Sequence, residues 1–346
     1  MARIMPVVVD SRIRVPGGLH RDIRNAIKRA FKHNNPDFFK KKNMGYRTFG
    51  IERQIKTFRE GDKADGYPLE LPRGGLRLLR ELLDAEGIKV RIVDKTTKVP
   101  ADFPAFRVDP DHPEYVLRPY QREALDACVA RGNGIVRAPT GSGKTTIALA
   151  AIAALGQRAI VLLRDGQLAK QWIREIERCL DIPKKEIGEV RGGKKYAPGR
   201  RITVALQQSL YRKGNRLGEL LRDEPFGTVV VDEVQGAAAR TFLEVIDHFP
   251  ARYRLGFSAD ETRKDGKEFL TYDVFGNVIY EIERDELEKK GHVLPVSIRM
   301  IPTEFRADWY RDAPPAEKDW TRLIEEIIND DERNDVVIRA ILSAVA

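Results

Sequence analysis

The first third of the chain alternates short apolar segments with amphipathic ones, and glycine and proline residues separate them. Apolar residues two positions apart predict strands, and apolar residues three or four positions apart predict helices. The elements expected from this pattern are a strand near Met5–Val9, a helix near Leu19–Phe31, short strands around Tyr46–Arg59, a helix near Leu76–Ala85 and a strand at Lys89–Val93. The pattern therefore predicts a small α+β domain over residues 1–105.

A proline-rich stretch follows this domain. Its prolines are Pro100, Pro104, Pro110 and Pro113. Proline fixes φ and lacks a backbone donor, so this density interrupts both helices and strands. We expect a linker over residues 106–114 and the start of a second domain near Tyr115.

From Tyr115 onward, short runs rich in β-branched residues alternate with helical stretches. The predicted elements are the strand Gly134–Arg137, a helix from Gly143, the strand Ala159–Leu163, a helix from Gln167, and the strands Ile202–Leu206, Thr228–Asp232 and Arg252–Phe257. Buried strands separated by helices are typical of a parallel sheet covered on both faces. We therefore predict a doubly wound α/β domain over residues 115–300. A last strand at Val293–Met300 and helices at Pro315–Ile328 and Asp331–Val345 are also expected, with residues 301–346 as a helical segment.

Composition narrows the class of protein. Hydrophobic residues make up 42% of the 346 residues, which is enough for a sizeable core. The longest apolar stretch, Thr146–Leu155, is about half of what a membrane span needs, and the first residues lack a basic and apolar leader. Cys128, Cys179 and five scattered histidines predict neither a disulfide framework nor a zinc site. We expect a cytoplasmic protein that does not bind membranes.

The positive charge is concentrated in the first domain. The whole chain carries a net charge of +9, whereas residues 1–105 contain 23 Lys and Arg against 13 Asp and Glu. A basic face attracts nucleic acid because binding releases the counterions condensed on the phosphates. Either residues 1–105 contact nucleic acid without reading its sequence, or they form a solvated basic surface.

The strongest chemical motif is APTGSGKT at Ala138–Thr145, between a predicted apolar strand and a predicted apolar helix. A phosphate-binding loop needs this context, because its backbone amides and the helix N-terminus surround the phosphates. Lys144 would reach the β and γ phosphates, and the Thr145 hydroxyl would ligate Mg²⁺. The strict pattern begins with glycine, and Ala138 is a small replacement. The alternative is a glycine-rich turn with an incidental lysine.

A pair of acids ends the predicted strand Thr228–Asp232, in the sequence VVVDE. Nucleotide hydrolysis needs one carboxylate for the metal ion and another for the attacking water. Asp232 would hold Mg²⁺ and Glu233 would act as the base. Taken alone, two acids at a strand end would be interpreted as solvated turn residues. The phosphate loop upstream reverses that preference and favours catalysis.

Further segments surround these two motifs in a recognisable order. They are LRPYQ at Leu117–Gln121, the stretch Val161–Trp172, VALQQSL at Val204–Leu210, LGFSA at Leu255–Ala259 and FGNVIYEI at Phe275–Ile282. This order resembles the superfamily 2 helicases, and within them the branch of XPB and the phage UvsW-like DNA helicases. The likeness covers residues 115 to 346. It implies that residues 115–300 form the first RecA-like P-loop NTPase lobe, which binds ATP and Mg²⁺.

The resemblance also implies roles for single residues. Gln121 would read the adenine edge, and Arg118 would lie against the adenine ring. The nucleotide would contact Pro139, Thr140, Gly141, Ser142, Gly143, Lys144, Thr145 and Thr146. Contacts with DNA are implied at Arg164, Gln171, Gln207 and Ser209, and LPRG at Leu71–Gly74 resembles a small DNA-engaging domain in some members. Lys41 and Arg73 are therefore further candidates, with a solvated face or a packing domain as the alternative.

The chain departs from the family pattern in the motifs that couple hydrolysis to movement. Ser258, which lies in one of these motifs, matches the pattern. The His after the acidic pair is Gln235, the Thr after Ser-Ala is Asp260, and the Pro-Thr of the first DNA motif is Arg164-Asp165. Gln235 retains an amide that can bridge, and Asp260 adds a negative charge. Two interpretations stay open: natural drift, or weakened coupling, in which DNA stimulates ATP hydrolysis poorly.

DERN at Asp331–Asn334 resembles the approach to the family's second motor lobe, which we expect in cis or in trans. That lobe supplies arginine fingers worth about 10³ to 10⁵ in rate, so this chain alone should bind ATP weakly and hydrolyse it slowly. The expected function is ATP-dependent translocation on, or unwinding of, duplex or branched DNA in repair, recombination or phage-type replication. There are two alternatives: an RNA helicase, or a non-motor DNA-binding module with an ATP-responsive switch. The sequence predicts no oligomeric state.

Overall fold

The computed structural model describes residues 3–345 except 62–65, 67, 113–114, 193–194, 198, 200, 212–215, 235–244, 260–264, 295–298 and 315–316. The chain divides into two compact units, Met1–Val293 and Leu294–Ala346. The predicted domain boundaries within the first unit stay predictions, because its two main sheets belong to the same compact unit.

The first sheet has five strands in the order β5-β6-β2-β1-β7. The strands are β1 (Arg3–Val9), β2 (Ile13–Val15), β5 (Arg59–Glu60), β6 (Leu69–Leu71) and β7 (Ile88–Asp94), while β3 (Lys32–Asn34) and β4 (Gln54–Lys56) form a separate pair. The accompanying helices are α1 (Arg21–Ala30), α2 (Pro36–Asn43) and α3 (Leu76–Ala85). The small α+β fold and the bounds of α3 are confirmed. Strands around residues 46–53 are wrong, because pairing begins only at Gln54.

Alternate residues of this sheet build its core. Met5 and Val7 of β1 are buried with Ile27 of α1 and Leu79 of α3, as expected for a sheet with one face covered by helices. The approach is close at Gly75, where an added Cβ would lie 2.3 Å from Cε1 of Phe31. Glycine is therefore required where the chain enters α3.

The second sheet has the order β11-β10-β12-β9-β13-β14-β8-β15 among the described residues. Its strands are β8 (Asn133–Arg137), β9 (Ala159–Leu163), β10 (Gly188–Arg191), β11 (Lys195–Ala197), β12 (Ile202–Leu206), β13 (Thr228–Asp232), β14 (Tyr253–Ser258) and β15 (Val278–Glu281). Every pairing is parallel except that of β11 with β10 at the edge. All side chains of β9 and β13 are buried, which explains why these strands read as continuous apolar runs.

Helices cover both faces of this sheet. They are α4 (Pro119–Arg131), α5 (Lys144–Leu155), α6 (Gly166–Leu180), α7 (Gln207–Tyr211), α8 (Arg216–Asp223), α9 (Glu268–Phe275) and α10 (Arg284–Lys289). One apolar cluster contains Ile147 and Trp172, and a second on the other face contains Phe226 and Phe275. The doubly wound α/β fold is confirmed. Sequence patterns did not predict the strands β10, β11 and β15 or the helices α4, α7, α8, α9 and α10.

The small sheet is attached near the amino end of β14. The Arg254 side chain is fully buried and donates to the carbonyl oxygens of Ser11 at 3.1 Å and Phe249 at 2.9 Å. Arg12 of the small sheet forms a buried ion pair with Asp247. The proline-rich segment is also packed, since Phe106 contacts the core of the large sheet.

The second unit, Leu294–Ala346, contains α11 (Asp308–Asp312), α12 (Trp320–Ile328) and α13 (Asp331–Val345). The prediction for α13 is confirmed, but α12 begins at Trp320 rather than at Pro315. The expected strand Val293–Met300 is partly outside the described residues, and its described positions are not in a strand. None of the helices described here combines the length and apolar composition needed to cross a membrane.

Candidate nucleotide-binding site

The phosphate loop follows the carboxyl end of β8 and leads directly into α5 at Lys144. Gly141 has φ 86° and Gly143 has φ 82°, a region in which residues with a Cβ are strained. A Cβ at Gly143 would also lie 2.5 Å from Nε2 of Gln121. These glycines therefore allow the loop to turn tightly into the helix N-terminus.

The Lys144 side chain lies over the loop. Its Nζ donates to the carbonyl oxygens of Ala138 at 3.1 Å and Pro139 at 3.2 Å. Burial lowers the pKa of Lys144, and the charges of Glu233 and Asp232 oppose that shift. Both carboxylates therefore favour the charged form of the Lys144 side chain.

The register of the strands explains why Lys144 and the two carboxylates are near one another. Asp232 is paired with Phe257 of β14, and Phe257 is paired with Val136 of β8, two residues before the loop begins. Adjacent strands are about 4.8 Å apart, so the two strand ends are separated by about 10 Å. The acidic pair and the phosphate loop therefore share one edge of the parallel sheet.

The Asp232 carboxylate is buried and is held at both oxygens. Oδ2 accepts a hydrogen bond from Trp172 Nε1 at 2.9 Å, and Oδ1 accepts one from the backbone amide of Glu233 at 3.0 Å. Burial raises the pKa of Asp232, while the Trp172 bond acts in the opposite direction. Trp172 lay within a segment noted in the sequence, but its contact with Asp232 was not predicted.

Glu233 has φ 57°, in the left-handed region. A non-glycine residue in this region costs about 1 to 3 kcal/mol and persists where surrounding contacts impose it. The strain lies at the turn that immediately follows Asp232.

The segment predicted to contact adenine is packed against the phosphate loop. Gln121 Nε2 donates to the carbonyl oxygen of Ser142 at 3.0 Å, and its Oε1 accepts from the Arg118 amide at 3.0 Å. Tyr120, which was not predicted, donates its hydroxyl to the same Ser142 oxygen at 2.8 Å. Arg118 is exposed. Gln121 thus supports the loop in this structure, and adenine contacts stay predictions.

The remaining loop positions differ in exposure. Pro139 and Ser142 are buried, Thr145 and Thr146 are half-buried, and Thr140 is exposed. Ser142 Oγ is buried without a hydrogen-bond partner in the described part of the chain.

The predicted DNA contacts fall into two groups. Arg164, Gln171 and Lys41 are exposed, whereas Gln207 and Ser209 are buried. Ser209 Oγ accepts from the Gly192 amide at 2.7 Å, which gives it a structural partner. Gln207 Nε2 has no hydrogen-bond partner among the residues described.

Arg73 requires a correction. Only 7% of this residue is exposed, and its guanidinium donates to the carbonyl oxygens of Ala251 and Arg252. The side chain therefore attaches the small sheet to the large one and is not available to a DNA phosphate. Arg77, on the exposed side of the next helix, instead pairs with Glu81.

The coupling positions are only partly described. Ser258 ends β14, is buried, and its carbonyl oxygen accepts from the Ala138 amide at 2.9 Å. It therefore connects the neighbouring strand to the start of the phosphate loop. Gln235 and Asp260 lie outside the described residues.

The residues present fit a nucleotide with Mg²⁺. Mg²⁺ is usually bound by one or two carboxylates together with phosphate oxygens, so Asp232 and Thr145 are a suitable protein contribution. The described residues contain no cluster of three or more His, Cys, Asp and Glu that would hold a metal ion alone. The unpartnered Ser142 hydroxyl and the Lys144 ammonium are donors suited to phosphate oxygens.

Comparison with known proteins agrees with this geometry. The family described as "Type III restriction enzyme, res subunit" matches residues 114–262. The chain is 33% identical over 208 residues to the DNA 3'-5' helicase XPB of Mycobacterium tuberculosis, covering 58% of this chain and 37% of that protein. It is 33% identical over 205 residues to the probable helicase D10 of Escherichia phage T5, covering 58% of this chain and 41% of that protein. The chain thus spans about two-fifths of the length of these relatives.

A solved structure resembles a larger part of the chain. The UvsW helicase of bacteriophage T4 superposes with a TM-score of 0.57 at 14% identity, over 80% of this chain and 99% of that one. At this identity the likeness concerns the fold.

The parallel sheet, the loop after β8 and the acidic pair after β13 define a RecA-like P-loop NTPase lobe. The family match over residues 114–262 and the relatives named as helicases show that this lobe is similar to superfamily 2 helicases of the XPB/UvsW-like branch, of which the chain spans only part. The resemblance predicted from the order of motifs is borne out by these comparisons.

Proposed function

We propose that the chain is the ATP-binding half of an ATP-dependent DNA helicase or DNA translocase. It would hydrolyse ATP to ADP and phosphate when a second RecA-like lobe completes the site. The observation that carries this proposal is that the loop holding Lys144 after β8 and the Asp232–Glu233 pair after β13 lie at the same edge of the parallel sheet. Phosphoryl transfer from a nucleotide depends mainly on positioning and on stabilising charge, which these groups provide.

Each residue of the site has a task in this proposal. The loop amides from Pro139 to Lys144 bind and orient the phosphates, and Thr145 and Asp232 hold Mg²⁺. The bound metal ion supplies positive charge to the phosphates. Glu233 accepts the proton of the attacking water. Thr140 and Thr146 line the loop, and Arg118 is exposed beside it for contact with the adenine ring.

The proposed partner is DNA. The names of the relatives from Mycobacterium tuberculosis and phage T5 describe helicases, the former a DNA 3'-5' helicase. Residues 1–105 carry the excess positive charge, and Lys41 is exposed there. Arg164 directly follows the carboxyl end of β9, Gln171 lies on α6, and both residues are exposed. Contacts with phosphates suit a motor that must move along any sequence. Such a protein would act in the cytoplasm, where it meets DNA.

Nucleotide binding is the first test. Lys144→Ala should weaken binding of a fluorescent ATP analogue by about tenfold or more, because a charged hydrogen bond to phosphate contributes about 1.5 to 3 kcal/mol. Titration with Mg²⁺ present measures the affinity. Lys290→Ala is the matched control, since Lys290 is exposed just after α10 and pairs with Glu286 of that helix. Equal affinities for wild type and Lys144→Ala would refute the proposed site.

The substrate is tested with a chain that includes a second RecA-like lobe. ATPase rates measured with duplex, forked and single-stranded DNA and with RNA separate the alternatives. Stimulation by DNA supports the proposal, and stimulation by RNA alone indicates an RNA helicase. ATP-dependent DNA binding without stimulated ATP turnover indicates either a non-motor switch or weak coupling through Gln235 and Asp260.

A further inference from the structure

The carboxylate of Asp232 is held by a residue that no part of the proposed nucleotide chemistry assigns. Trp172 lies on α6, only 1% of it is exposed, and its Nε1 donates to Asp232 Oδ2 at 2.9 Å. Ala169, Ile173 and Ile176 of the same helix are also buried in the core of the sheet. The indole ring is therefore anchored by packing, and its N–H has a defined direction.

This bond constrains the orientation of the carboxylate. The Glu233 amide holds the other oxygen, Oδ1, at 3.0 Å. An indole N–H can only donate a hydrogen bond, so Asp232 must be the acceptor in this pair. Each carboxylate oxygen can accept more than one contact, so both oxygens can still coordinate a cation. Partners that orient a ligand of a metal ion in this way typically change metal affinity about 10- to 100-fold when they are removed.

The same helix carries predicted DNA contacts. Gln171, the residue before Trp172, is exposed, and Arg164 lies just before the helix. Asp165 caps the helix by accepting from the amides of Gln167 and Leu168, each at 2.9 Å. A contact of DNA with this end of α6 would therefore act on the helix whose Trp172 side chain reaches the carboxylate of Asp232.

We propose that Trp172 is a positioning residue, which orients Asp232 for a divalent cation and connects that cation site to the DNA-facing helix α6. This inference rests on the proposed function, because it assumes that Asp232 holds the Mg²⁺ of a bound nucleotide. It adds a route by which DNA on α6 alters metal-dependent nucleotide binding. Direct contact between DNA and the phosphate loop is not needed for this effect.

The test compares two Trp→Phe variants. Trp172→Phe keeps an aromatic ring but removes the indole N–H. Trp309→Phe is the matched control, because Trp309 Nε1 donates to Glu326 Oε2 at 2.7 Å in the second compact unit. The affinity for a fluorescent ATP analogue is measured over a series of Mg²⁺ concentrations and in EDTA.

We expect Trp172→Phe to raise the Mg²⁺ concentration needed for half-maximal enhancement of nucleotide binding by about 10-fold or more. Its affinity in EDTA should equal that of the wild type, and Trp309→Phe should match the wild type throughout. A Mg²⁺ dependence unchanged in Trp172→Phe would overturn the inference. A purely structural role of Trp172 would instead weaken binding equally with and without Mg²⁺, and would overturn it as well.

A second measurement leaves Trp172 intact. The chain has three tryptophans, so the double variant Trp309→Phe, Trp320→Phe retains Trp172 as the only one. Addition of Mg²⁺ to this variant with ATP bound should change the indole emission, whereas Mg²⁺ without ATP should change it much less. Emission that is the same with and without Mg²⁺ in the ATP-bound protein would overturn the inference, even if Trp172→Phe does not fold.

These outcomes separate the two proposals. If wild type and Lys144→Ala bind the nucleotide equally, the proposed function fails and the inference fails with it. If binding requires Lys144 and Mg²⁺ but neither tryptophan measurement responds, only the role of Trp172 is refuted. Addition of duplex DNA then tests the connection through α6: it should shift the Mg²⁺ dependence of the wild type more than that of Trp172→Phe.

Discussion

Glu233 and Asp181 are the non-glycine residues with positive φ in the described part of the chain. At Asp181 the conformation ends α6, a common position for a left-handed residue. At Glu233 it coincides with the end of a fully buried strand and with the hydrogen bond from its own amide to Asp232. Backbone strain at this residue thus accompanies the orientation of a neighbouring carboxylate.

Burial decides the role of other single residues. Arg73 and Arg77 look equivalent in the sequence, four positions apart in a basic domain. The structure buries Arg73 against backbone carbonyls and leaves Arg77 exposed. A one-dimensional charge pattern cannot distinguish them, because burial depends on the segment near Ala251, almost 180 residues later in the chain.

Both cysteine thiols should be inert in the folded protein. Burial raises the pKa of Cys128 to about 12 and that of Cys179 to about 11. A thiol with a raised pKa stays protonated at pH 8.5, and the protonated thiol is a poor nucleophile. In the unfolded chain, by contrast, the ordinary pKa of about 8.5 leaves about half of each thiol ionised at that pH.

We therefore expect slow iodoacetamide alkylation of both cysteines at pH 8.5 in the native state, measured by intact mass. The same reaction in concentrated guanidinium chloride is the control and should be complete. The raised pKa values also predict that stability falls as pH rises from about 9 towards 11 or 12, because the unfolded state loses its protons first. Rapid alkylation of the native protein would contradict this assignment.

At the scale of elements, helix ends explain where the predicted bounds hold and where they shift. The helix α12 begins at Trp320 rather than at Pro315 because Asp319 caps it, with Oδ1 accepting from the Arg322 amide at 3.1 Å. The helix α6 begins one residue before the predicted start, after the cap Asp165. Asp165 replaces a threonine of the family pattern, and either residue type is a good N-cap.

The cap at Asp165 gives a prediction for α6. Asp165→Ala should lower the free energy of unfolding by about 1 kcal/mol, because two helix amides lose their acceptor. Asp165→Ser should cost less than about 0.5 kcal/mol, since serine caps a helix comparably well. Chemical denaturation of both variants measures the difference. Equal stability of the alanine and serine variants would show that the cap does not support the helix.

At the scale of the molecule, the first compact unit has two different edges. The carboxyl edge of the large sheet holds the phosphate loop and the acidic pair. Near the opposite end of β14, buried arginines attach the small basic sheet: Arg254 reaches Ser11, and Arg73 reaches Ala251 and Arg252. The proposed DNA-binding domain is thereby fixed to the large sheet by hydrogen bonds as well as by the chain connection.

This attachment predicts opposite behaviour for two neighbouring arginines. Arg73→Ala should lower the free energy of unfolding of the first unit by about 2 to 4 kcal/mol, because buried carbonyls lose charged donors. Arg77→Ala should change it by less than about 1 kcal/mol, since Arg77 and its partner Glu81 are exposed. Denaturation curves and the rate of tryptic cleavage within residues 95–112 measure the effect.

The same pair tests the predicted DNA surface. The salt dependence of DNA binding reports how many phosphates the protein neutralises. Arg73→Ala should leave that salt dependence unchanged where the protein remains folded, because Arg73 does not face the solvent. A flattened salt dependence for Arg73→Ala with unaltered stability would restore Arg73 as a phosphate contact.

Local sequence determined the two nucleotide motifs, the strands β8, β9, β12, β13 and β14 of the large sheet, and the helices α1, α3, α5, α6 and α13. The predicted strands Ala159–Leu163 and Thr228–Asp232 have the observed bounds, because the interior of a strand buried on both faces is a continuous apolar run. Glycines and Lys144 were recognisable because loop chemistry depends on residues adjacent in the chain.

Only the tertiary structure decided which residues meet across the fold. The Trp172 bond to Asp232, the support of Ser142 by Tyr120 and the burial of Arg73 join residues from different elements. Such contacts depend on strand order and on helix packing, and neither periodicity nor composition encodes them locally. The sequence by itself determined the class of chemistry at the sheet edge, and packing determined which side chains hold that chemistry in place.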